Sequence, residues 1–449
     1  MAAGGVFPHT QLPNITQPIL REVTKMSSVT ALVAVLRGRA RAAATATLLI
    51  LAAALLTPGA IATDQPDGSR WVGTWSASPE AANAPIHFNA QTIRQIVHTS
   101  LGGNRVRVRL SNAYGTESLV IGAAHVAISV GGAAIFPGTD RVLTFNGQAG
   151  ITIPGGAVAV SDSIALNVPA LADLAVSLYL PADTAATTQH STGLQTNYIS
   201  GPGNFTAAAN LVGTATDAFY FMTGVEVRAS RRARAIVALG DSVTDGFGST
   251  PNMNQRFPNL LAARLQSRPN TSHIAVLNAG LPGNRILHDF VGTGALARLD
   301  RDVLVQTGAE YVIVLQGNAD IVIPGLIGNP AEVVSVEQIV QGHRQIIERA
   351  HALGLMAYGG TLNPVEGYPF PGFWTADLEA KRQAVNHWIR TSKAYDAVID
   401  FDRVLRDPSH PSRLLPDYDS GDHVHPNDVG YQAMADAIDV SLFRGADQD

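Results

Sequence analysis

The spacing of apolar and polar residues divides the chain after residue 63 into two parts. From 71 to 228, short runs alternate apolar and polar positions, as at 106–110, 174–180 and 225–228. This period of two is typical of strands with one buried and one wet face. Turn-forming residues at 102–104, 112–115 and 154–156 separate the runs. The pattern predicts an all-β domain of the sandwich or jelly-roll-like kind.

A different pattern begins near residue 232. Continuous apolar runs at 235–239, 274–277, 311–315, 355–358 and 397–399 predict strands that are buried on both faces. The stretches 257–265 and 339–350 repeat apolar residues every three or four positions, which predicts helices. Alternating strands and helices predict a three-layer α/β/α domain with five parallel strands. Such domains bind ligands at the carboxyl ends of their strands, so those ends are where chemistry is expected.

The first 62 residues have the order of a secretory signal. Arg37, Arg39 and Arg41 precede an apolar run at 42–56, then a Pro-Gly break, and a small-residue cleavage site ends at Ala62. A membrane anchor is the alternative, because about 20 apolar residues span a bilayer. The break at 58–59 favours cleavage, and Met26 is a better start than the first residue. We therefore expect a secreted protein without stable membrane insertion.

These patterns predict three segments. Residues 1–62 are an N-terminal extension and signal peptide, residues 63–231 a β-sandwich-like accessory domain, and residues 232–449 the α/β domain.

Composition excludes several classes of protein. The chain has no cysteine, which rules out disulfides, thiolate metal sites and a cysteine nucleophile. A net charge of -5 and an aromatic content of 6% do not indicate a basic or aromatic surface that would bind nucleic acid. The sequence also lacks the Gly-x-Ser-x-Gly elbow, the His-Glu-x-x-His zinc motif, the phosphate loop and the dinucleotide-binding glycine motif. The remaining candidates for chemistry are serine, histidine and carboxylates.

The first candidate follows the first strand of the α/β domain, where the chain reads Gly240-Asp241-Ser242. A serine at a strand-to-helix turn places its hydroxyl at the pocket, and its N–H lies at the positive end of the helix, where it suits an oxyanion. The alternative is that Ser242 only caps the following helix.

The second candidate precedes the last predicted helix, where Asp422 stands three residues ahead of His425. In a tight loop this spacing places the carboxylate beside the imidazole, where it orients the ring and stabilises its cation. Simple helix capping is one alternative, and metal binding by His423 and His425 is another. Because His423 is adjacent to Asp422, we expect its side chain to point away.

Together these blocks resemble the GDSL/SGNH hydrolase family over residues 235–440. The first block is Gly240-Asp241-Ser242, the second spans 278–285, and the last is Asp422-x-x-His425. The resemblance implies a flavodoxin-like fold and a Ser242–His425–Asp422 triad. It also implies that the N–H groups of Ser242 and Gly283 bind the oxyanion, and that no metal or organic cofactor is needed.

A third block, at 317–320 between the second and the last, departs from the family pattern. The family has Gly-x-Asn-Asp, whose asparagine donates to the oxyanion, whereas this chain has Ala319 at that position, between Asn318 and Asp320. Losing one such donor typically costs about 10²–10³ in turnover. Asn318 is the candidate replacement. We expect catalysis to be weakened rather than lost.

The resemblance implies a serine esterase that forms an acyl-enzyme. The expected partners are small-molecule or polysaccharide esters, either short-chain acyl esters or acetylated carbohydrate. Acetylated carbohydrate is included because residues 73–78 also resemble secreted bacterial GDSL proteins with an N-terminal β-domain. A lipase or phospholipase is an alternative, with 321–327 as an apolar approach surface or a buried lid. A catalytically impaired domain that binds glycan or lipid is another. Acyl length, alcohol portion and oligomeric state do not follow from the sequence.

Overall fold

The computed structural model describes residues 68–443, so the predicted N-terminal extension and signal peptide lie outside the described residues. All the described residues belong to one compact unit, in which a β-rich part is followed by an α/β part. No helix between residues 68 and 443 has the length and apolar character needed to cross a bilayer. The domain boundary expected between residues 231 and 232 stays a prediction.

The β-rich part is built from short strands joined by turns. They are β1 Ser69–Ser76, β2 Glu80–Ala81, β3 His87–Phe88, β4 Gln91–His98, β5 Gly103–Ser111, β6 Leu119–Ile121, β7 Ala123–Gly131, β8 Ala134–Ile135, β9 Arg141–Leu143, β10 Ile151–Ile153, β11 Val158–Val160, β12 Ile164–Val168, β13 Asp173–Leu180, β14 Thr184–Ala185, β15 Thr188–His190, β16 Asn197–Pro202, β17 Gly213–Thr216, β18 Phe219–Tyr220 and β19 Met222–Ser230. The three alternating runs predicted as strands fall within β5, β13 and β19.

Two antiparallel sheets dominate this part. The first has the order β1-β19-β5-β11, with β12 also paired to β5. The second has the order β17-β16-β4-β13-β7-β8, with β9 also paired to β7. Alternate residues such as Val106 and Val108 of β5 and Leu174 and Val176 of β13 are fully buried in one apolar core. The prediction of a β-rich first part is confirmed, while its jelly-roll connectivity stays a prediction.

The α/β part contains one parallel sheet with the order β21-β20-β22-β23-β24, which confirms the prediction of five parallel strands. Its strands are β20 Arg234–Gly240, β21 Ile274–Gly280, β22 Ala309–Leu315, β23 Met356–Gly360 and β24 Ala397–Ile399. Its helices are α1 Ser242–Asp245, α2 Phe257–Gln266, α3 Ala295–Leu299, α4 Asn318–Leu326, α5 Val336–Ala352, α6 Ala376–Thr391, α7 Phe401–Leu405 and α8 Asp428–Ala437. Helices α2 and α5 contain the stretches predicted from their period.

Polar side chains set where these helices begin. Asp241 caps α1 by accepting the N–H of Val243, and Ser335 starts α5 in a reciprocal capping box with Gln338. Asn427 caps α8 by accepting from the N–H of Gly430. Helix α1 therefore starts at the last residue of the first sequence block, and α8 starts three residues after the last block.

The β-rich part covers the edge of the parallel sheet. The Ser76 hydroxyl donates to the carbonyl of Asn278 in the edge strand β21 at 2.8 Å, and the Ser100 hydroxyl accepts the N–H of Val276 at 3.0 Å. An uncovered edge strand exposes unpaired backbone groups. These serines satisfy such groups on β21, so the two parts share an interface beside the strand ends.

Candidate active site

Ser242 lies at the carboxyl edge of the sheet, in the tight turn that follows strand β20. A Cβ atom at Gly240 would lie 1.8 Å from the Thr244 hydroxyl oxygen, so only glycine allows the turn to close. Asp241, next to Ser242 in the chain, is buried, and this burial raises the pKa of Asp241 to about 6, although Val243 N–H donates to its carboxylate. The local sequence thus fixes the backbone that carries the hydroxyl.

Ser242, His425 and Asp422 form a continuous chain of hydrogen bonds. Ser242 Oγ lies 2.7 Å from His425 Nε2, and His425 Nδ1 lies 2.6 Å from Asp422 Oδ2. The second carboxylate oxygen, Oδ1, accepts the N–H groups of Val424 at 2.9 Å and His425 at 2.8 Å. The loop is therefore turned tightly, as the three-residue spacing requires. The structure brings together all three residues that the sequence singles out.

Partial burial raises the pKa of the Asp422 carboxyl, but the hydrogen bonds and charge of His425 outweigh it and hold that pKa well below its usual range. Asp422 is therefore ionised over the working pH range. An anionic carboxylate on Nδ1 holds the proton there and leaves Nε2 to accept from the serine hydroxyl.

His423 takes no part in this chain. Its Nδ1 atom lies 2.5 Å from Asp419 Oδ2, and its ring is half-exposed, in the left-handed backbone region at φ +67°. The two histidines thus bond to different carboxylates. Among residues 68–443, no group of three or more histidines and carboxylates is arranged to hold a metal ion.

Gly283 lines the same cleft as Ser242. Its φ of +61° is in the left-handed region, and a Cβ atom would lie 2.8 Å from the ring of Phe290. Glycine is therefore required on both grounds. The neighbouring loop is held by buried Asp320, whose carboxylate accepts the N–H groups of Ile286 at 2.7 Å and Leu287 at 3.1 Å.

The third block lies at the start of helix α4. Ala319 is 5% exposed and lines the cleft, as does Asn318. Asn318 Nδ2 donates to the carbonyl and side-chain oxygens of Asn363 at 3.0 and 3.1 Å, whereas Asn318 Oδ1 has no partner among the described residues. The donor role expected of Asn318 would require its amide to leave Asn363.

The cleft in front of Ser242, here called the Ser242 cleft, has a volume of about 230 Å³. Ser242, His425, Asp241 and Asn318 supply its polar groups. Its other walls are mainly apolar, formed by Phe247, Pro282, Phe290, Val291, Ala319, Val322, Ile323, Leu326, Val365, Tyr368, Phe373 and Val424.

Two features of this cleft change the sequence-based picture. Val322, Ile323 and Leu326 of the apolar segment 321–327 line the cleft, and Ile321–Ile323 are buried, whereas Ile327 is exposed. Phe247 packs its ring 4.7 Å from that of His425, a contact that sequence reasoning missed. Its position shortly after Ser242, next to Gly246, is the signal that could have identified it.

A hydrogen-bonded serine, histidine and aspartate at the strand ends of a parallel α/β sheet is an arrangement that serine hydrolases use. The particular family follows from comparison with known proteins. Residues 238–433 match the GDSL-like Lipase/Acylhydrolase family. Its members are acylhydrolases and esterases.

Several solved structures are similar to 46% of this chain. They include an aryl esterase from M. smegmatis (14% identity, 46% of this chain and 96% of that chain, TM-score 0.37) and a carbohydrate acetylesterase family member from Sinorhizobium meliloti (16%, 46% and 97%, 0.37). A GDSL-like lipase from Bacteroides thetaiotaomicron is also similar (16%, 46% and 87%, 0.34). No curated protein matches the chain.

Proposed function

We propose that the protein is a secreted serine esterase that hydrolyses carboxylic esters through an acyl-enzyme. The observation that carries the proposal is the hydrogen-bonded chain from Ser242 through His425 to Asp422. His425 Nε2 takes the hydroxyl proton while Ser242 Oγ attacks the ester carbonyl, and the alcohol leaves with that proton. Water, activated by His425, then attacks the acyl-enzyme and releases the acid.

Two backbone groups are proposed to stabilise the oxyanion. These are the N–H of Ser242, at the start of α1, and the N–H of Gly283, which lines the same cleft. Preorganised donors of this kind supply much of the rate enhancement in acyl transfer. With Ala319 at the asparagine position and the Asn318 amide bonded to Asn363, we expect a functional but slowed enzyme.

The walls of the Ser242 cleft favour an apolar substrate group. Phe247, Phe290, Val322, Leu326 and Phe373 surround the space next to the nucleophile. Sugar hydroxyls placed against such walls would lose hydrogen bonds to water without replacement, at a cost of about 1–3 kcal/mol each. Of the two substrate classes expected from the sequence, short-chain acyl esters therefore fit this cleft better than acetylated carbohydrate.

A binding protein with an impaired hydrolase domain is the second candidate. Ala319 is the specific observation that favours it, because one oxyanion donor is replaced by a methyl group. The same apolar cleft would then hold an acyl chain without cleaving it. A lipase or phospholipase remains the alternative within the enzyme class, supported by the half-exposed rings of Phe247 and Phe290 at the cleft.

Two further parts of the proposal concern the rest of the chain. Export is supported by the order of basic, apolar and small residues at 37–62. A sandwich arrangement of the β-rich part is supported by the fully buried alternate residues of β5 and β13, which belong to one core.

The experiment that tests the function is an acyl-chain series of p-nitrophenyl esters, from acetate to decanoate, assayed beside acetylated xylan. The wild type should hydrolyse the aryl esters, with a preference for butyrate or hexanoate over acetate, and Ser242→Ala should not. Turnover of xylan acetate alone would contradict the substrate assignment. Binding of the esters without turnover would favour the second candidate.

A further inference from the structure

A buried arginine lies behind the residues proposed to bind the oxyanion. Arg298 belongs to α3, and its side chain is fully buried. Its guanidinium donates to the carbonyls of Ala279 at 2.8 Å and Gly240 at 3.1 Å. It also donates twice to Asn284 Oδ1, from Nε at 3.1 Å and from Nη2 at 2.9 Å. The remaining contacts are to Ser78 Oγ at 2.9 Å and Asp302 Oδ2 at 3.2 Å.

These acceptors lie at the ends of neighbouring strands. Gly240 ends β20, two residues before Ser242, while Ala279 lies in β21 and Asn284 directly follows Gly283. A third strand joins the network, because Gln316 Nε2, just after β22, donates to Asn284 Oδ1 at 2.9 Å. One rigid planar group therefore connects the backbone on both sides of the proposed oxyanion site.

The choice of arginine has a physical reason. Burying a cation carries a large desolvation penalty, and an apolar side chain of similar size would often be as stable or more so. A guanidinium, however, presents five N–H donors in a fixed plane, so it holds several acceptors at set distances. Lysine has a flexible stem and a compact ammonium group, so it cannot hold the same acceptors in one plane.

We propose that Arg298 is a positioning residue that sets the separation and direction of the Ser242 and Gly283 N–H groups. This inference rests on the proposed function. It follows from the contacts at Gly240 and Asn284, which fix the two segments that carry these donors. This role matters more here than in a family member that has a third hydrogen-bond donor to the oxyanion, because the methyl group of Ala319 donates no hydrogen bond. A displacement of about 1 Å at such a site is enough to cost about 10²-fold in rate.

The test compares Arg298→Lys with Arg94→Lys. Arg94 is also fully buried and donates to Ser177 Oγ at 2.9 Å and Ala133 O at 2.6 Å, but it lies in the β-rich part. For p-nitrophenyl butyrate we expect Arg298→Lys to lower kcat by about 10- to 100-fold, with KM changed by less than about threefold. Binding of a phenylboronic acid, which forms a tetrahedral adduct, should weaken in proportion to kcat/KM. Arg94→Lys should keep the wild-type kcat per folded molecule.

An unchanged kcat in folded Arg298→Lys would overturn the inference, as would equal kcat losses in both lysine variants. If Arg298→Lys does not fold, Asn284→Ala decides the question, since it removes the shared acceptor without burying a new charge. A lower kcat at constant KM then supports the role, and an unchanged kcat contradicts it. An inactive wild type would instead overturn the proposed function. That outcome is distinguishable from a failure of the Arg298 inference, because it is seen before any variant is made.

Discussion

His190 Nε2 of the β-rich part lies 3.0 Å from Asp245 Oδ1, in the helical turn that begins at Ser242. Both side chains are 5% exposed, and the other ring nitrogen of His190 bonds to the carbonyl of Ser78 at 3.0 Å. Although burial favours a neutral ring, the carboxylates of Asp245 and Glu80 raise the pKa of His190 to about 9. A buried ion pair therefore joins the β-rich part to the turn that carries the proposed nucleophile.

Because of this ion pair, we expect the folded protein to lose stability at alkaline pH. Because the folded-state pKa of His190 lies above its unfolded value, the stabilisation is fully present below about pH 6.5 and is lost as pH rises through about 9. The melting temperature of the wild type should fall between pH 7 and 9.5, and His190→Gln should remove most of that fall. His351→Gln serves as control, because its pair with Asp396 lies nearer the surface, where ion pairs contribute little. Parallel pH curves for wild type and His190→Gln would contradict the prediction.

Restoring asparagine at position 319 should accelerate catalysis. The site of Ala319 lines the Ser242 cleft, so an amide there can face the developing oxyanion. We expect Ala319→Asn to raise kcat for p-nitrophenyl esters by about 10-fold or more. Ala319→Leu, of similar size but without a donor, should not raise it. Equal rates for Ala319→Asn and wild type would mean that another group already supplies the third donor.

The carboxylate of Asp422 should be needed for the chemical step. Asp422→Asn keeps the shape but removes the charge that holds the His425 proton on Nδ1, so kcat should fall by about 10³–10⁴ with little change in KM. The control is Asp419→Asn in the same loop, where the carboxylate bonds to His423 instead. Steady-state kinetics that show similar losses for both variants would point to loop disorder and not to a role in proton transfer.

The volume next to Val322 should set the acyl-chain preference. Its side chain is buried in the wall of the Ser242 cleft. We expect Val322→Phe to shift the preference in kcat/KM toward acetate and Val322→Ala to shift it toward longer chains, each by several-fold, since a methylene group is worth about 1 kcal/mol in an apolar pocket. A chain-length profile that moves in the same direction in both variants would place the acyl group elsewhere.

Much of this fold follows from local sequence patterns. The apolar runs predict all five strands of the parallel sheet because strands buried on both faces need no polar positions. The Asp-x-x-His spacing predicts the Asp422–His425 contact because a carboxylate that accepts two nearby N–H groups is a local structure. Ser242 is harder to place by this reasoning, since its partner is 183 residues away and only the likeness to a known family joins the two blocks.

The remaining features depend on packing between distant segments. His190 is 55 residues from Asp245, and Arg298 reaches Ser78 across 220 residues, so no periodic pattern reveals either contact. Asn318 shows the opposite difficulty. It was the candidate replacement for the missing donor, but it begins helix α4 and its amide bonds to Asn363 in another loop. Which way the Asn318 amide points depends on the loop that packs against it, and that loop is distant in the sequence.

The central claim is that Ser242 is the nucleophile, and the position of a covalent fluorophosphonate adduct tests it most directly. Mass spectrometry of the labelled protein should show one adduct, located on the peptide that contains Ser242. Ser242→Ala should remain unlabelled. The control Ser249→Ala should label like the wild type, since the Ser249 hydroxyl lies in the next loop and donates to the carbonyl of Gly246 at 2.7 Å. An adduct on another residue, or labelling that persists in Ser242→Ala, would contradict the account.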